Sequence, residues 1–207
     1  MKKILGGLLL SSLLFGGIAV HAADTNINGE DSASITVNGS LGQDNTDENS
    51  PNTDEGSKDW INVTLDTANI FYTTKASEHK TITSPTYKIT NNSGRAVKVS
   101  ASSFSVDSGN LTNVDALKIS ADDYTGAEKS VDLKSFTAGD FLTLANTNGK
   151  LNVTSDAANT YAKETTYQYS GTTKDAYYKS NHEQTKHTLT LAFEALGKDG
   201  QSVQTNP

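Results

Sequence analysis

Apolar and polar residues alternate with a period of two along most of the chain beyond residue 60. The clearest example is HTLTLAFEAL near the C-terminus, where Leu189, Leu191 and Phe193 share one face and threonines share the other. This alternation is typical of strands with one buried and one solvated face. It predicts a sheet rather than a helix for the C-terminal segment.

Segments of the same kind recur about every ten residues, separated by clusters of Gly, Asn and Asp. They are WINVTL, NIFYTT, TIT, ALKIS, SVDLKSF, FLTLAN, KLNVTS and TTYQYS. Short helical turns are predicted only in SDAANTYAKE and at TAGD. Many short strands with turn signals between them predict an all-β, single-domain β-sandwich or jelly-roll over residues 60–207.

The stretch YKITNNSGRAVKVSASSF, residues 87–104, is predicted to form a β-hairpin. Tyr87 and Ile89 share a face before the polar turn, and Val97 and Val99 share a face after it. Asn and Gly tolerate the positive φ angles that tight turns require. The turn residues expected to use this tolerance are Asn91, Asn92 and Gly94.

The N-terminus predicts export. Lys2 and Lys3 precede an uncharged apolar run, and small residues follow in VHAAD, which is the pattern of a signal peptide over residues 1–23. A membrane anchor would need about 20 predominantly apolar residues, and this run is shorter and interrupted by Gly and Ser. Residues 24–41 then contain SASITVN, whose alternation predicts one short strand.

Residues 42–59 form an acidic segment, GQDNTDENSPNTDEGSKD, with six acids and no large apolar residue. This composition predicts a solvated, disordered linker. A calcium loop is the alternative, although the EF-hand offsets are not met. About 18 flexible residues would have an r.m.s. span of about 23 Å, which lets the preceding strand reach a neighbouring molecule.

Charge and cysteine content exclude several function classes. The chain carries 17 Lys and Arg against 24 Asp and Glu, and Arg95 is its single arginine. Nucleic-acid binding depends on clustered basic residues, so it is excluded. The chain has no cysteine, which excludes disulfides and thiol chemistry.

Candidate catalytic chemistry is sparse. HEQTKH, residues 182–187, resembles a zinc-protease helix, but that motif requires histidines at i and i+4, where Lys186 stands. His182, Glu183 and His187 are therefore weak metal candidates, with His79 as a conceivable third ligand. No G-x-S-x-G elbow or phosphate-binding loop is present. We predict no catalytic residue, no cofactor and no enzymatic activity.

Tyrosines provide the candidate binding residues. Tyr177 and Tyr178 lie in an otherwise polar stretch and could contact carbohydrate or protein. Tyr167 and Tyr169 share one face of a predicted strand and are interpreted as core residues. Trp60, directly after the acidic segment, is expected to anchor the first core strand.

Several of these motifs together resemble a known group of proteins. The signal peptide, ITVNGSLG, TSPTYKITNNSGRAVKVS and the final LTLAFEAL are similar to secreted β-rich surface proteins of Gram-positive bacteria. The two styles are the camelysin/TasA biofilm-matrix type and the WxL cell-wall type, although the Trp-x-Leu pair is missing. The first resemblance implies fibre assembly or metallopeptidase activity, and the second implies attachment to peptidoglycan.

The resulting functional expectation is a secreted, non-enzymatic cell-surface or extracellular-matrix protein that self-assembles by exchange of its N-terminal strand. A carbohydrate or host-ligand adhesin module and a camelysin-like metallopeptidase are the alternatives. The expected partners are other copies of the chain or cell-wall components. Nucleic acid and stable membrane insertion are not expected.

Overall fold

The strands predicted from alternation form two antiparallel sheets in the computed structural model, which describes residues 44–174 and 183–203. They are β1 (Val63–Leu65), β2 (Tyr72–Thr73), β3 (Thr81–Thr83), β4 (Tyr87–Asn91), β5 (Val97–Ser108), β6 (Val114–Asp122), β7 (Glu128–Asp132), β8 (Gly139–Leu144), β9 (Glu164–Thr173) and β10 (Lys186–Ala195). Two 3-10 turns, Lys58–Trp60 and Lys75–Ser77, complete the elements. None of the helical turns in these ranges is long and apolar enough to cross a membrane.

The larger sheet is built around β9. Strands β4 and β3 follow one another along one side of β9, and β6 followed by β7 lies on the other side. In the gap between the end of β3 and the start of β4, the Ser84 hydroxyl oxygen accepts a hydrogen bond from the Tyr169 backbone N–H at 2.8 Å. The smaller sheet has the order β10-β5-β8.

The core lies between these two sheets. Val97, Val99 and Ala101 of β5 are fully buried, and Ile89 and Ile119 of the larger sheet are almost fully buried. Their positions follow the alternation in the sequence, because successive side chains of a strand point to opposite faces. The prediction of an all-β sandwich is therefore confirmed.

The predicted hairpin over residues 87–104 is wrong in its pairing. Strand β4 belongs to the larger sheet and β5 to the smaller one, so the turn between them crosses from one layer to the other. The Asn91 side-chain amide is buried there and donates to the backbone oxygens of Arg95 and Ala145, each at 2.8 Å. Two layers therefore meet at this turn.

The turn also does not use positive φ angles, because Asn91, Asn92 and Gly94 are all outside that region. Glycine is needed at position 94 for a different reason. A Cβ there would lie 2.7 Å from the backbone carbonyl carbon of Asp47 and from the backbone nitrogen of Glu48. The small residue permits the acidic segment to pack directly on the turn.

Two further local predictions are wrong. KLNVTS forms turns rather than a strand, and SDAANTYAKE forms turns rather than a helix. The Asp156 carboxylate accepts from the backbone N–H groups of Leu151 and Asn152, and the Asn152 side-chain oxygen accepts from the N–H of Thr154. These side-chain bonds satisfy the backbone locally and compete with regular structure. TAGD likewise leads directly into β8 without a helix.

The acidic segment is attached to the sandwich from residue 44 onward, which differs from the prediction of a solvated linker. The Gly94 N–H donates to the Asn45 backbone oxygen at 2.7 Å. The Glu48 carboxylate accepts from Lys150 at 3.1 Å and from the Asn146 amide at 3.2 Å. Non-local polar contacts therefore order a segment that has little apolar surface. Residues 1–23 and 24–41 lie outside the described residues.

The strongest of these attachments involves Arg95, whose side chain is 1% exposed. Its guanidinium lies over the Trp60 ring at 4.0 Å from the centroid. It donates to the Glu55 carboxylate at 2.7 Å and to the Glu48 backbone oxygen at 2.7 Å. Trp60 is fully buried, as expected for an anchor of β1. We call Arg95, Trp60, Glu55 and Glu48 the arginine clamp.

We expect Glu55→Gln to lower the free energy of unfolding by about 2 to 3 kcal/mol, because the buried Arg95 charge loses its ionised partner. Urea unfolding followed by fluorescence of Trp60, the single tryptophan, measures this loss. Glu78→Gln is the control, because the Glu78–Lys80 pair is exposed and such pairs contribute about 0 to 1 kcal/mol. Equal effects of the two substitutions would contradict the role of the clamp.

We expect Gly171→Ala in β9 to destabilise the sandwich by at least about 3 kcal/mol, because overpacking against backbone forces strands apart. An added Cβ would lie 1.9 Å from the backbone oxygen of Ala116 in β6. Gly139→Ala in β8 is the matched control, since a Cβ there meets no atom within 4 Å. Thermal unfolding by circular dichroism should separate the two variants, and similar melting temperatures would argue against the central position of β9.

Candidate functional site

A cleft of about 1180 Å³ lies between the sheets along β10. One wall is β10 itself, and the opposite wall is the segment 65–73 of the larger sheet. Core residues Leu117, Ile119 and Phe141 form its floor. We call this feature the β10 cleft. Its volume slightly exceeds the usual range for ligand-binding cavities, about 300 to 1,000 Å³.

The inward residues of β10 are only partly buried. Leu189, Leu191 and Phe193 point between the sheets, as the alternation predicts, yet each keeps some exposure. The opposite wall contains only Leu65 of β1 and the two residues of β2 in strand conformation, so it supplies few side chains to cover them. The cleft therefore presents an apolar surface that the described part of the chain does not fill.

The outer edge of β10 adds a second property to the cleft. Within the described residues β10 has one strand neighbour, β5, along its whole length. A strand with one neighbour presents a row of backbone N–H and C=O groups on its other side. The β10 cleft thus combines apolar side chains with an edge that can form main-chain hydrogen bonds.

Exposed apolar residues surround the open end of the cleft. Ile70 is 61% exposed and Tyr72 is 45% exposed, and both line the cleft. Val106 is 50% exposed and lies opposite His187 in the β5–β10 register. Contiguous exposed apolar residues mark interaction surfaces more often than single ones do.

His187 occupies an unusual place within this apolar surface. Its ring stacks on Phe104 at a centroid distance of 5.2 Å and on Phe71 at 6.0 Å. Both ring nitrogens are buried, and neither has a hydrogen-bond partner among the described residues. Burial lowers the pKa of His187, and the nearby Asp107 charge opposes this effect in part. An unsatisfied buried donor costs about 1 to 3 kcal/mol.

Tyrosine hydroxyls from β4 and β9 hold the opposite wall, residues 65–73, against the rest of the larger sheet. The Tyr87 hydroxyl accepts from the Ile70 backbone N–H at 2.6 Å. The Tyr167 hydroxyl donates to the Asp66 backbone oxygen at 2.6 Å, and burial raises the pKa of both Tyr167 and Tyr169. The prediction that Tyr167 is a core residue is confirmed, and Tyr169 is partly buried against the core; both side chains line the cleft.

Some of the candidate site residues predicted from the sequence lie at the β10 cleft, and others lie outside the described residues. Tyr177, Tyr178 and His182 lie outside the described residues. Glu183 and His187 both line the β10 cleft, but the Glu183 carboxylate accepts from the Asn113 amide at 3.1 Å.

The candidate third ligand, His79, also has a partner of its own. Its Nδ1 is paired with the Thr73 hydroxyl at 2.9 Å. Over residues 44–174 and 183–203, no three His, Asp or Glu residues are grouped so that they could hold a metal ion. The metal interpretation therefore gains no ligand set there.

Sequence reasoning missed the aromatic environment of His187 and the wall formed by residues 65–73. One signal was available, since His187 has the same parity in β10 as Leu189 and Leu191 and so points to the same face. The partners Phe71 and Phe104 come from distant parts of the chain, and only the tertiary fold brings them to this histidine.

Comparison with known proteins yields no relative: no protein-family model matches the chain, and no curated protein matches it. The resemblance to camelysin/TasA or WxL proteins therefore stays a prediction from short motifs.

Proposed function

We propose that this chain is a secreted, non-enzymatic cell-surface or extracellular-matrix protein whose copies assemble by strand exchange. In this proposal the segment 32–38 of one copy occupies the β10 cleft of another. The observation that carries it is the combination of an apolar cleft with an edge of β10 that has no strand neighbour in residues 44–174 and 183–203.

Strand addition suits both properties of the cleft. An added strand forms main-chain hydrogen bonds with a sheet edge, and its alternate side chains enter pockets beside that edge. The segment SASITVN offers Ile35 and Val37 on one face and Ser34, Thr36 and Asn38 on the other. Its apolar face would complete the contacts of Leu189, Leu191 and Phe193.

The position of residue 44 brings the segment within reach of a neighbour. Asn45 contacts Gly94 at the end of the sandwich where β10 finishes, since the Leu196 N–H donates to the Ala96 oxygen there. Ile35 lies nine positions before residue 44 along the chain, a separation that extends to about 32 Å at most. This length reaches an adjacent molecule without a long linker.

Strand direction favours capture by a second copy. Because β10 runs toward the end where Asn45 lies, the chain's own segment would have to lie parallel to β10 in its own cleft. A segment from another molecule can enter in the antiparallel direction, which is slightly more stable per residue. Contacts of this head-to-tail kind continue into filaments unless the rotation closes them.

We expect a mixture of two single-cysteine variants, Thr36→Cys and Thr190→Cys, to form a disulfide-linked heterodimer on oxidation. Both threonines lie on the polar face of their strand segments, and the natural chain has no cysteine that could interfere. Non-reducing gel electrophoresis and mass spectrometry identify the product. Pairing Thr36→Cys with Ser130→Cys on the edge strand β7 is the matched control.

Two outcomes would overturn this proposal. Equal yields with Ser130→Cys would show that the crosslink is not specific for β10. A crosslink found only within one chain of the double variant Thr36→Cys/Thr190→Cys would place the segment in its own cleft.

Deletion of residues 24–41 is a second and independent test. It should abolish oligomers in light scattering, and unchanged assembly would exclude strand exchange.

A further inference from the structure

His187 is the centre of a row of aromatic rings that crosses the β10 cleft. Tyr169 of the larger sheet contacts Phe71 at 6.5 Å, Phe71 contacts His187, His187 contacts Phe104, and Phe104 contacts Phe136 at 6.3 Å. The row joins the two walls of the cleft. Of its members, only histidine changes charge between pH 5 and 8.

The surroundings of His187 favour its neutral form. Both ring nitrogens are shielded from water and have no hydrogen-bond partner in the described ranges, so a charged ring would carry two unsatisfied donors. The titratable and charged groups on the surrounding elements are Asp107 on β5, Lys186 on its own strand, Glu183 just before β10, and Asp66 and His79 from the opposite side of the cleft. The negative charge of Asp107 favours the protonated ring and so opposes the effect of burial on the pKa of His187.

Resting on the proposed function, we propose that protonation of His187 releases the captured strand, so that assembly is reversible with pH. A strand with Ile35 and Val37 facing the cleft would remove the remaining water from the imidazole. The captured state would therefore disfavour the charged ring more strongly than the open cleft does. By linkage, a ligand that binds the neutral form better is released when the proton binds.

The direction of the pH effect follows from the lowered pKa of His187. A histidine in water titrates at about 6.5, and in the cleft it titrates lower. Capture should be independent of pH above about 7 and should weaken only when the pH falls below 6.5 to the lowered pKa of His187 in the open cleft, by up to about tenfold per pH unit for one proton. Glu48, Asp123 and Glu194 have lowered pKa values and stay ionised in this window.

The test is sedimentation velocity of the mature chain at pH 7.5, 6.5, 5.5 and 5.0. We expect the association constant of the natural protein to fall severalfold between pH 7.5 and 5.0. His187→Phe keeps an aromatic ring in the stack without a titrating group, so its assembly should be unchanged by pH. His79→Gln is the matched control, because His79 also lines the cleft, and it should behave like the natural protein.

The outcomes separate this inference from the proposed function. Absence of assembly at pH 7.5 would overturn both. Assembly with the same pH profile in the natural protein and in His187→Phe would overturn the role of His187 and leave strand exchange intact. If His187→Phe does not fold, the His187 ring proton in NMR spectra of the assembled natural protein decides the question, and titration at or above pH 6.5 would overturn the inference.

Discussion

The fold depends on the burial of one charge, the guanidinium of Arg95. A buried charge is tolerated only when it is paired and its donors are satisfied. Here the partners come from outside the two sheets, since Glu55 and Glu48 belong to the acidic segment and Trp60 follows it. The segment is therefore a structural part of the sandwich, although its composition is that of a solvated chain.

The two ends of the sandwich are consequently unlike each other. At one end the arginine clamp and the amides of Asn91 and Asn146 close the space between the layers with polar contacts. Toward the other end the layers separate along β10, where apolar side chains remain incompletely covered and the buried ring nitrogens of His187 have no hydrogen-bond partner among the described residues. The polar contacts of the clamp and the exposed apolar surface of the cleft are thus separate features, and the partner in our proposal would bind at the open side without contacting the clamp.

The sequence is informative where one residue's environment follows from its neighbours in the chain. Alternation in β5 and β10 correctly places Val97 and Leu191 inward, because the side-chain period of a strand is two. The alternation does not determine which strands are neighbours. The pattern of residues 87–104 therefore predicts a hairpin of β4 and β5, although the two strands lie in different sheets. The acidic segment is held against the sandwich because Glu55 binds Arg95, which lies 40 positions further along the chain. Leu191 is partly exposed because the short strand β2 supplies few side chains to cover it. Neither has a local signal.

The close packing of the acidic segment on Gly94 has a mechanical consequence. A slack tether would lengthen under tension before any force reached the folded layers. Because Asn45, Glu48 and Glu55 hold the chain to the sandwich, a pull on the N-terminal segment would be transmitted at about residue 44 directly into the arginine clamp. In copies joined through that segment, residues 45–55 would therefore not extend under tension before the arginine clamp itself carried the load.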